Sequence, residues 1–183
     1  METTKVMDSA RFSLIDTVDQ MQNHIRHCLA GLTESQRYFT MGTCNHIAYT
    51  AWHAAENLDR CINTAIQGKP TIWDTQYRKK LGLPDDFPLR GYDWEKAKAV
   101  KFEPWDTFIE YVDAVMKECH AYLKKSDAVE LETIVHEGHM DSAHPRADYS
   151  KARVLRGRLT HASVGLGELN VLRGIQGLKG SPN

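Results

Sequence analysis

The nine histidines of this 183-residue chain are its main candidates for metal-binding residues. Imidazole nitrogens bind zinc and related divalent ions, and ligands from two facing elements can share one ion. Three groups stand out along the chain: the pair His46 and His53, the segment with His136, His139 and His144, and the single His161.

The first group belongs to a polar line made of residues three or four positions apart: His46, Thr50, His53 and Asn57. On a helix this spacing puts all four on one side. His53 falls opposite the alanine- and leucine-rich positions of the same segment and close to Arg60. Taken alone, the pattern is typical of a helix face that is exposed to solvent.

His161 belongs to a second line, which runs beside the apolar stripe of the last helical segment. Gly165 and Glu168 follow it at helical spacing. A lone histidine at the edge of a core is usually satisfied by a hydrogen bond. By itself, His161 therefore predicts no metal site.

Apolar residues recur three or four positions apart in four segments, which predicts four helices. The predicted helices run from Ser9 to Leu32, from an N-cap at Thr43 to about Gln67, from just after Pro104 to near Lys125, and from about Ser150 to Leu178. Between them we expect a short helical piece at Asp74–Lys80, an extended piece at Glu130–Ile134, and a loop from His136 to Asp148.

These elements predict an all-α fold, namely a four-helix bundle with a long crossover between helices 2 and 3. Proline and glycine interrupt the segment from Pro70 to Pro104, so it cannot form a continuous helix. A crossover of this length lets the second and third helices run parallel. We expect residues 1–183 to form one domain.

Composition excludes several classes of protein. The net charge of −1 gives no attraction to nucleic acid or anionic membranes. No uncharged stretch is apolar enough to span a membrane, and the start of the chain lacks the apolar run of a signal peptide. No two cysteines are at C-x-x-C spacing, and no nucleophile elbow or Gly-rich phosphate loop is present. We therefore expect a cytoplasmic protein.

Two segments resemble a known family. One is the run from Tyr49 to Arg60, YTAWHAAENLDR, and the other is the run from Leu159 to Gly177, LTHASVGLGELNVLRGIQG. Together with the crossover and the helix that begins at Pro104, they resemble the second and fourth helices of the DinB/YfiT-like superfamily of four-helix bundles. The similarity extends over nearly the whole chain.

The resemblance implies a divalent metal ion, zinc or nickel, held by three histidines. One comes from the second helix and two come from the fourth helix at H-x3-H spacing. Members with known activity include thiol-dependent S-transferases and maleylpyruvate isomerases, and these bundles often form homodimers. His53 and His161 match the first two ligand positions, whereas Gly165 stands where the third histidine is expected.

This departure leaves two functional interpretations and a third, structural one, in which Gly165 simply opens the pocket for a ligand. In the first, the protein is a metal-dependent transferase or isomerase that acts on a small-molecule substrate and a thiol. Another residue then completes the site: His46, Glu168 or one of His136, His139 and His144. In the second, the metal has been lost, and the bundle is a non-catalytic protein that binds a small molecule or responds to stress. The residues do not identify the substrate or the thiol.

Overall fold

The structure is a computed structural model that describes residues 2–85, 87, 94–135 and 148–181. In chain order its elements are helices α1 (Glu2–Leu29), α2 (Glu34–Arg37) and α3 (Ile47–Asp59), two π-helical segments (Arg60–Ile66 and Trp73–Tyr77), helices α4 (Arg78–Lys80), α5 (Trp94–Ala99), α6 (Trp105–Lys125) and α7 (Ala128–Glu132), strands β1 (Ile134–Val135) and β2 (Tyr149–Ser150), and helix α8 (Lys151–Ile175). The all-α prediction is confirmed, with one short antiparallel strand pair as the exception.

Four long helices enclose the hydrophobic core. The main contacts join α1 to α6, α6 to α3, α3 to α8 and α8 back to α1. On α6 the core side chains come from the predicted stripe and include Phe108, Val112, Val115 and Cys119. On α1 the predicted stripe is wrong at Phe12, which is 60% exposed, and the crossover adds Trp73 and Phe102 to the core. None of the helices that the structure describes combines the length and apolar character needed to cross a membrane.

Helices α3 and α6 run in the same direction. At one end, His46 next to the start of α3 hydrogen-bonds Val100, shortly before α6. At the other end, Gln67 just after the first π-helical segment lines the same groove as Tyr122 of α6. The segment between the two helices therefore returns along the length of the molecule.

Asp59 fixes the end of α3 to this crossover. Its buried carboxylate accepts hydrogen bonds from the Nδ2 of Asn63 at 2.8 Å and the Oη of Tyr111 at 3.3 Å. It also accepts from the backbone N–H groups of Ile72 at 3.1 Å and Trp73 at 2.9 Å. One side chain thus joins α3, both π-helical segments and α6, and so holds α3 in place.

The predicted start of the second long helix is wrong, because His46 and not Thr43 is its N-cap. The Nδ1 of His46 accepts from the N–H of Tyr49 at 3.0 Å, and its Nε2 donates to the carbonyl of Val100. Histidine is not a usual N-cap residue. At this position histidine can also form the hydrogen bond from its Nε2 to the carbonyl of Val100, 54 positions away in the chain.

Other boundaries also differ from the prediction. The first helix begins at Glu2 and the last ends at Ile175. Residues 130–132 belong to α7, because the side chain of Asp127 caps that helix at Glu130, and the chain is extended only from Ile134. The loop predicted at His136–Asp148 lies outside the described residues up to 147.

Candidate functional site

His53 and His161 meet at the contact between α3 and α8. Their Nε2 atoms are 3.3 Å apart, and the two rings are nearly perpendicular, at 75° with centroids 5.4 Å apart. Both residues are exposed, so the pair lies at the surface of the molecule, where a ligand can reach it. The structure thus brings together the two histidines that match the family pattern.

The ring of His53 is held by its own helix. Tyr49, one turn earlier, stacks parallel to it at 6.5 Å between centroids with an interplanar angle of 6°. Asn57, one turn later, donates to the His53 carbonyl at 2.8 Å. The Nδ2 of Asn57 is also 3.4 and 3.3 Å from the two ring nitrogens. Being almost equidistant from both, it lies against the ring and not in line with either lone pair.

The surroundings of His53 favour its neutral imidazole form. Although His53 is exposed on one side, neighbouring atoms displace water from part of its ring and lower its pKa, and the positive charges of His161 and Arg158 lower it further. Neutral imidazole is the form that binds metal ions, because its nitrogen lone pair is free of a proton. When no metal ion lies between the rings, the 3.3 Å distance between the two Nε2 atoms requires a hydrogen bond, in which the protonated Nε2 of one ring donates to the unprotonated Nε2 of the other.

The separation of the two nitrogens fits a shared metal ion. Zinc–nitrogen bonds of about 2.0–2.1 Å in a tetrahedral site place two ligand nitrogens about 3.3–3.4 Å apart. The observed Nε2–Nε2 distance is 3.3 Å. Within the described part of the chain, however, no group of three or more His, Cys, Asp or Glu side chains is arranged to hold a metal.

The other predicted candidates lie elsewhere. His46 is fully buried, and both of its ring nitrogens are engaged at the start of α3. Glu168 is exposed on α8, seven residues beyond His161. The three loop candidates His136, His139 and His144 are outside the described residues.

Gly165 lies on the side of α8 that faces Thr50 and Ala54 of α3. A Cβ at this position would be 3.7 Å from both the Cγ2 of Thr50 and the Cβ of Ala54, which is ordinary van der Waals contact. The Oγ1 of Thr50 is buried and makes no hydrogen bond. The spacing between the two helices therefore leaves room for a Cβ at this position, and Gly165 supplies no metal ligand.

Glu56 was missed by sequence reasoning. It lies one turn after His53, yet it is only 3% exposed and is paired with Arg60 four residues later. Burial raises the pKa of Glu56 to about 7, and the attraction of Arg60 offsets only part of this effect. The i,i+4 spacing of a glutamate and an arginine predicts an ion pair on a helix, but nothing in that spacing indicates burial.

The fold is similar to that of solved structures. The crystal structure of a conserved protein from Enterococcus faecalis matches with a TM-score of 0.73 and 18% sequence identity, covering 87% of this chain and 92% of that one. No protein-family model and no curated protein matches the sequence. The similarity therefore establishes the fold that this chain shares with the Enterococcus protein.

Proposed function

We propose that His53 and His161 bind a divalent metal ion, zinc or nickel, and that the protein is a DinB/YfiT-like four-helix bundle with thiol-dependent transferase or isomerase activity. The observation that carries this proposal is the 3.3 Å separation of the two Nε2 atoms on neighbouring helices. The position of the two histidines in the second and fourth long helices supports it further.

The protein residues have separate tasks in this proposal. His53 and His161 supply the nitrogen ligands, while the side chains of Tyr49 and Asn57 lie against the His53 ring. A divalent cation held there favours the thiolate form of a bound thiol, which is the nucleophilic form. The cytoplasm keeps small thiols reduced and suits this chemistry.

Calorimetric titration with zinc and with nickel tests the metal site. The wild-type protein is expected to bind one ion per His53–His161 pair, and His53→Ala is expected to abolish binding. His24→Ala is the matched control, since His24 lies on α1 whereas His53 and His161 lie on α3 and α8, and it should leave binding unchanged. Equal binding by wild type and His53→Ala would refute the proposed site.

A kinetic assay tests the activity. With cysteine as the thiol and an activated aryl chloride as the electrophile, a new carbon–sulfur bond forms as chloride leaves. The zinc-loaded wild type is expected to accelerate this reaction, and zinc-loaded His161→Ala is not. If the zinc-loaded wild type gave the same rate as the reaction in buffer without protein, this transferase activity would be excluded.

A metal-free binding protein is the alternative function, and Gly165 is the observation that favours it. Glycine supplies no ligand at the third family position, where a Cβ would meet only Thr50 and Ala54 within 4 Å. In this case His53→Ala and His161→Ala leave the melting temperature unchanged in the presence and absence of zinc. A stabilisation by zinc that disappears in both variants would count against the alternative.

A further inference from the structure

A groove of about 510 Å³ lies between α1 and the first half of α8. On α1 its wall consists of residues three or four positions apart, which share one side of the helix: Ala10, Ser13, Leu14 and Thr17. On α8 the wall extends from the N-cap Ser150 to Ser163. Sites for small molecules in proteins have volumes of about 300–1,000 Å³. The groove therefore has room for one small molecule.

The packing of α1 against α8 explains this gap. Toward the ends of both helices the contact is direct, because the Nη1 of Arg173 donates to the carbonyl of Cys28 at 2.8 Å. At the groove, the lining side chains include Ala10, Ser13 and Ala152, which are too small to fill the space between the helices. The groove thus results from the residue types that face it.

The floor of the groove is apolar. Leu159 is buried, while Leu14 and Ala152 are half-buried and pack against the hydrophobic core. Covering apolar surface of this kind removes it from water, which is favourable. The floor therefore favours an occupant with an apolar part.

Two arginines give the groove a positive charge. Arg153 and Arg156 are exposed, and none of the other described residues that line the groove is acidic or basic. The guanidinium of Arg153 lies 4.1 Å from the ring centroid of Tyr149. This contact attracts the guanidinium to the ring but brings no negative charge to it. The groove consequently attracts an anion.

The groove between α1 and α6 provides the contrast. It is also lined by two arginines, but Arg26 pairs with Asp113 at 2.7 Å and Arg37 pairs with Glu103 at 3.4 Å. The charges of those arginines are balanced within the protein. The described lining of the groove between α1 and α8 contains no acidic residue that could do the same.

Three hydroxyl groups of the groove are engaged within their own helices. Thr17, Thr160 and Ser163 each donate to a carbonyl one turn earlier, at 2.8, 3.0 and 2.9 Å. Their oxygens can then only accept further hydrogen bonds, so they do not bind an anion. The guanidinium groups are donors suited to this task, since each can hold a carboxylate with two parallel N–H···O bonds.

We propose that this groove binds a small organic anion with an apolar body, of which a medium-chain carboxylate is the simplest example. Arg153 and Arg156 bind the carboxylate, and the apolar body covers Leu14 and Leu159. The site does not depend on the proposed metal site. It faces α1 and shares no residue with the pair formed by His53 and His161, which lies where α8 meets α3.

Titration with octanoate, followed by the NMR chemical shifts of backbone amides, tests the site. We expect saturable binding of one octanoate per chain, with shifts at the residues of α1 and α8 that line the groove. The alcohol 1-octanol has the same apolar chain without the charge, and it should bind about tenfold more weakly. No saturable binding of octanoate, or equal affinities for octanoate and 1-octanol, would overturn the proposal.

Arg156→Gln tests the role of the charge, because Arg156 is exposed on α8. Its affinity for octanoate should fall about tenfold, whereas its affinity for 1-octanol should stay unchanged. Arg26→Gln is the matched control, since it makes the same change of net charge in the groove between α1 and α6. Wild-type affinity for octanoate in Arg156→Gln, or an equal loss in Arg26→Gln, would overturn the proposal.

A carboxylate placed in the groove tests the same point by competition. Thr160→Glu adds an acid four residues after Arg156, where the two side chains can pair. Thr160→Gln is its uncharged control of similar size. Affinity for octanoate should be about tenfold lower in Thr160→Glu than in Thr160→Gln. Equal affinity in the two variants would contradict the proposal.

His53→Ala separates this site from the metal site. It should bind octanoate as the wild type does, whether or not the wild type binds zinc, because the groove does not include His53. Loss of octanoate binding in His53→Ala would overturn the assignment to this groove.

Discussion

The Nε2 atoms of His53 and His161 lie 3.3 Å apart although 108 residues separate them in the chain. Each belongs to a different long helix. α8, which carries His161, is joined to α1 by the hydrogen bond that Arg173 Nη1 donates to the carbonyl of Cys28 at 2.8 Å. α3 is fixed at its start by His46 and at its end by Asp59. The two imidazoles are therefore positioned by the fold itself, which is what a binding site prepared in advance requires.

Substitution of Gly165 tests whether the site lacks only a ligand. Gly165→His adds an imidazole four residues after His161, and we expect zinc affinity to rise about tenfold or more, since a new metal–nitrogen bond outweighs the ~1.4 kcal/mol of a tenfold change. Calorimetric titration measures the effect. Gly165→Ala is the control, because its Cβ makes ordinary contacts with Thr50 and Ala54. Equal zinc affinity in Gly165→His and Gly165→Ala would contradict the expectation.

The buried N-cap of α3 predicts a loss of stability in acid. Burial lowers the pKa of His46 to about 4, so the folded state binds fewer protons than the unfolded state between about pH 4 and 6.5. The contribution of His46 to the free energy of unfolding is fully present above pH 6.5 and is lost as the pH falls toward 4. It amounts to about 3 kcal/mol. Urea unfolding of wild type and His46→Asn, which keeps a capping side chain, should show this difference in pH dependence; parallel curves would refute it.

Glu56 predicts the opposite trend. Burial raises the pKa of Glu56 to about 7, so the folded state binds more protons than the unfolded state between about pH 4.5 and 7. Stability therefore falls as the pH rises through this range, by about 3 kcal/mol. Glu56→Gln removes this titration. As the pH rises from 4.5 to 8, the free energy of unfolding of Glu56→Gln should therefore increase relative to that of wild type. A constant difference between the two proteins would contradict this assignment.

Removal of the Asp59 carboxylate should destabilise the protein strongly. Asp59→Ala leaves two backbone N–H groups and the side chains of Asn63 and Tyr111 without their acceptor. Several unsatisfied buried donors cost about 3–5 kcal/mol in total. Chemical denaturation measures this loss, with Asp16→Ala as control because Asp16 is exposed on α1. A change below about 1 kcal/mol in Asp59→Ala would show that water replaces the carboxylate.

Sequence periodicity predicts the long helices well because burial on one face imposes it. The stripe on α6 is the clearest case, and its predicted bounds agree with Trp105–Lys125. The end of α3 could not be predicted in the same way. Its change to a π-helical segment at Arg60 coincides with hydrogen bonds from Asp59 to Ile72 and Trp73, which are distant in the chain.

The site shows the same division between local and long-range causes. Helical spacing puts His53 and Asn57 on one face, but only the packing of α3 against α8 brings His161 to that face. His46 was a candidate ligand because it shares the polar line of His53. Its role as a cap depends on Val100, and no local pattern reveals that partner. The burial of Glu56 likewise results from tertiary packing.

Metal content of the purified, tag-free protein tests the central claim most directly. Elemental mass spectrometry should find close to one zinc or nickel ion per chain in wild type, and a loss of that metal in His53→Ala. His24→Ala should retain the wild-type content. Absence of metal from wild type, even after incubation with excess zinc or nickel and removal of the unbound ion, would contradict the claim and favour the metal-free binding protein.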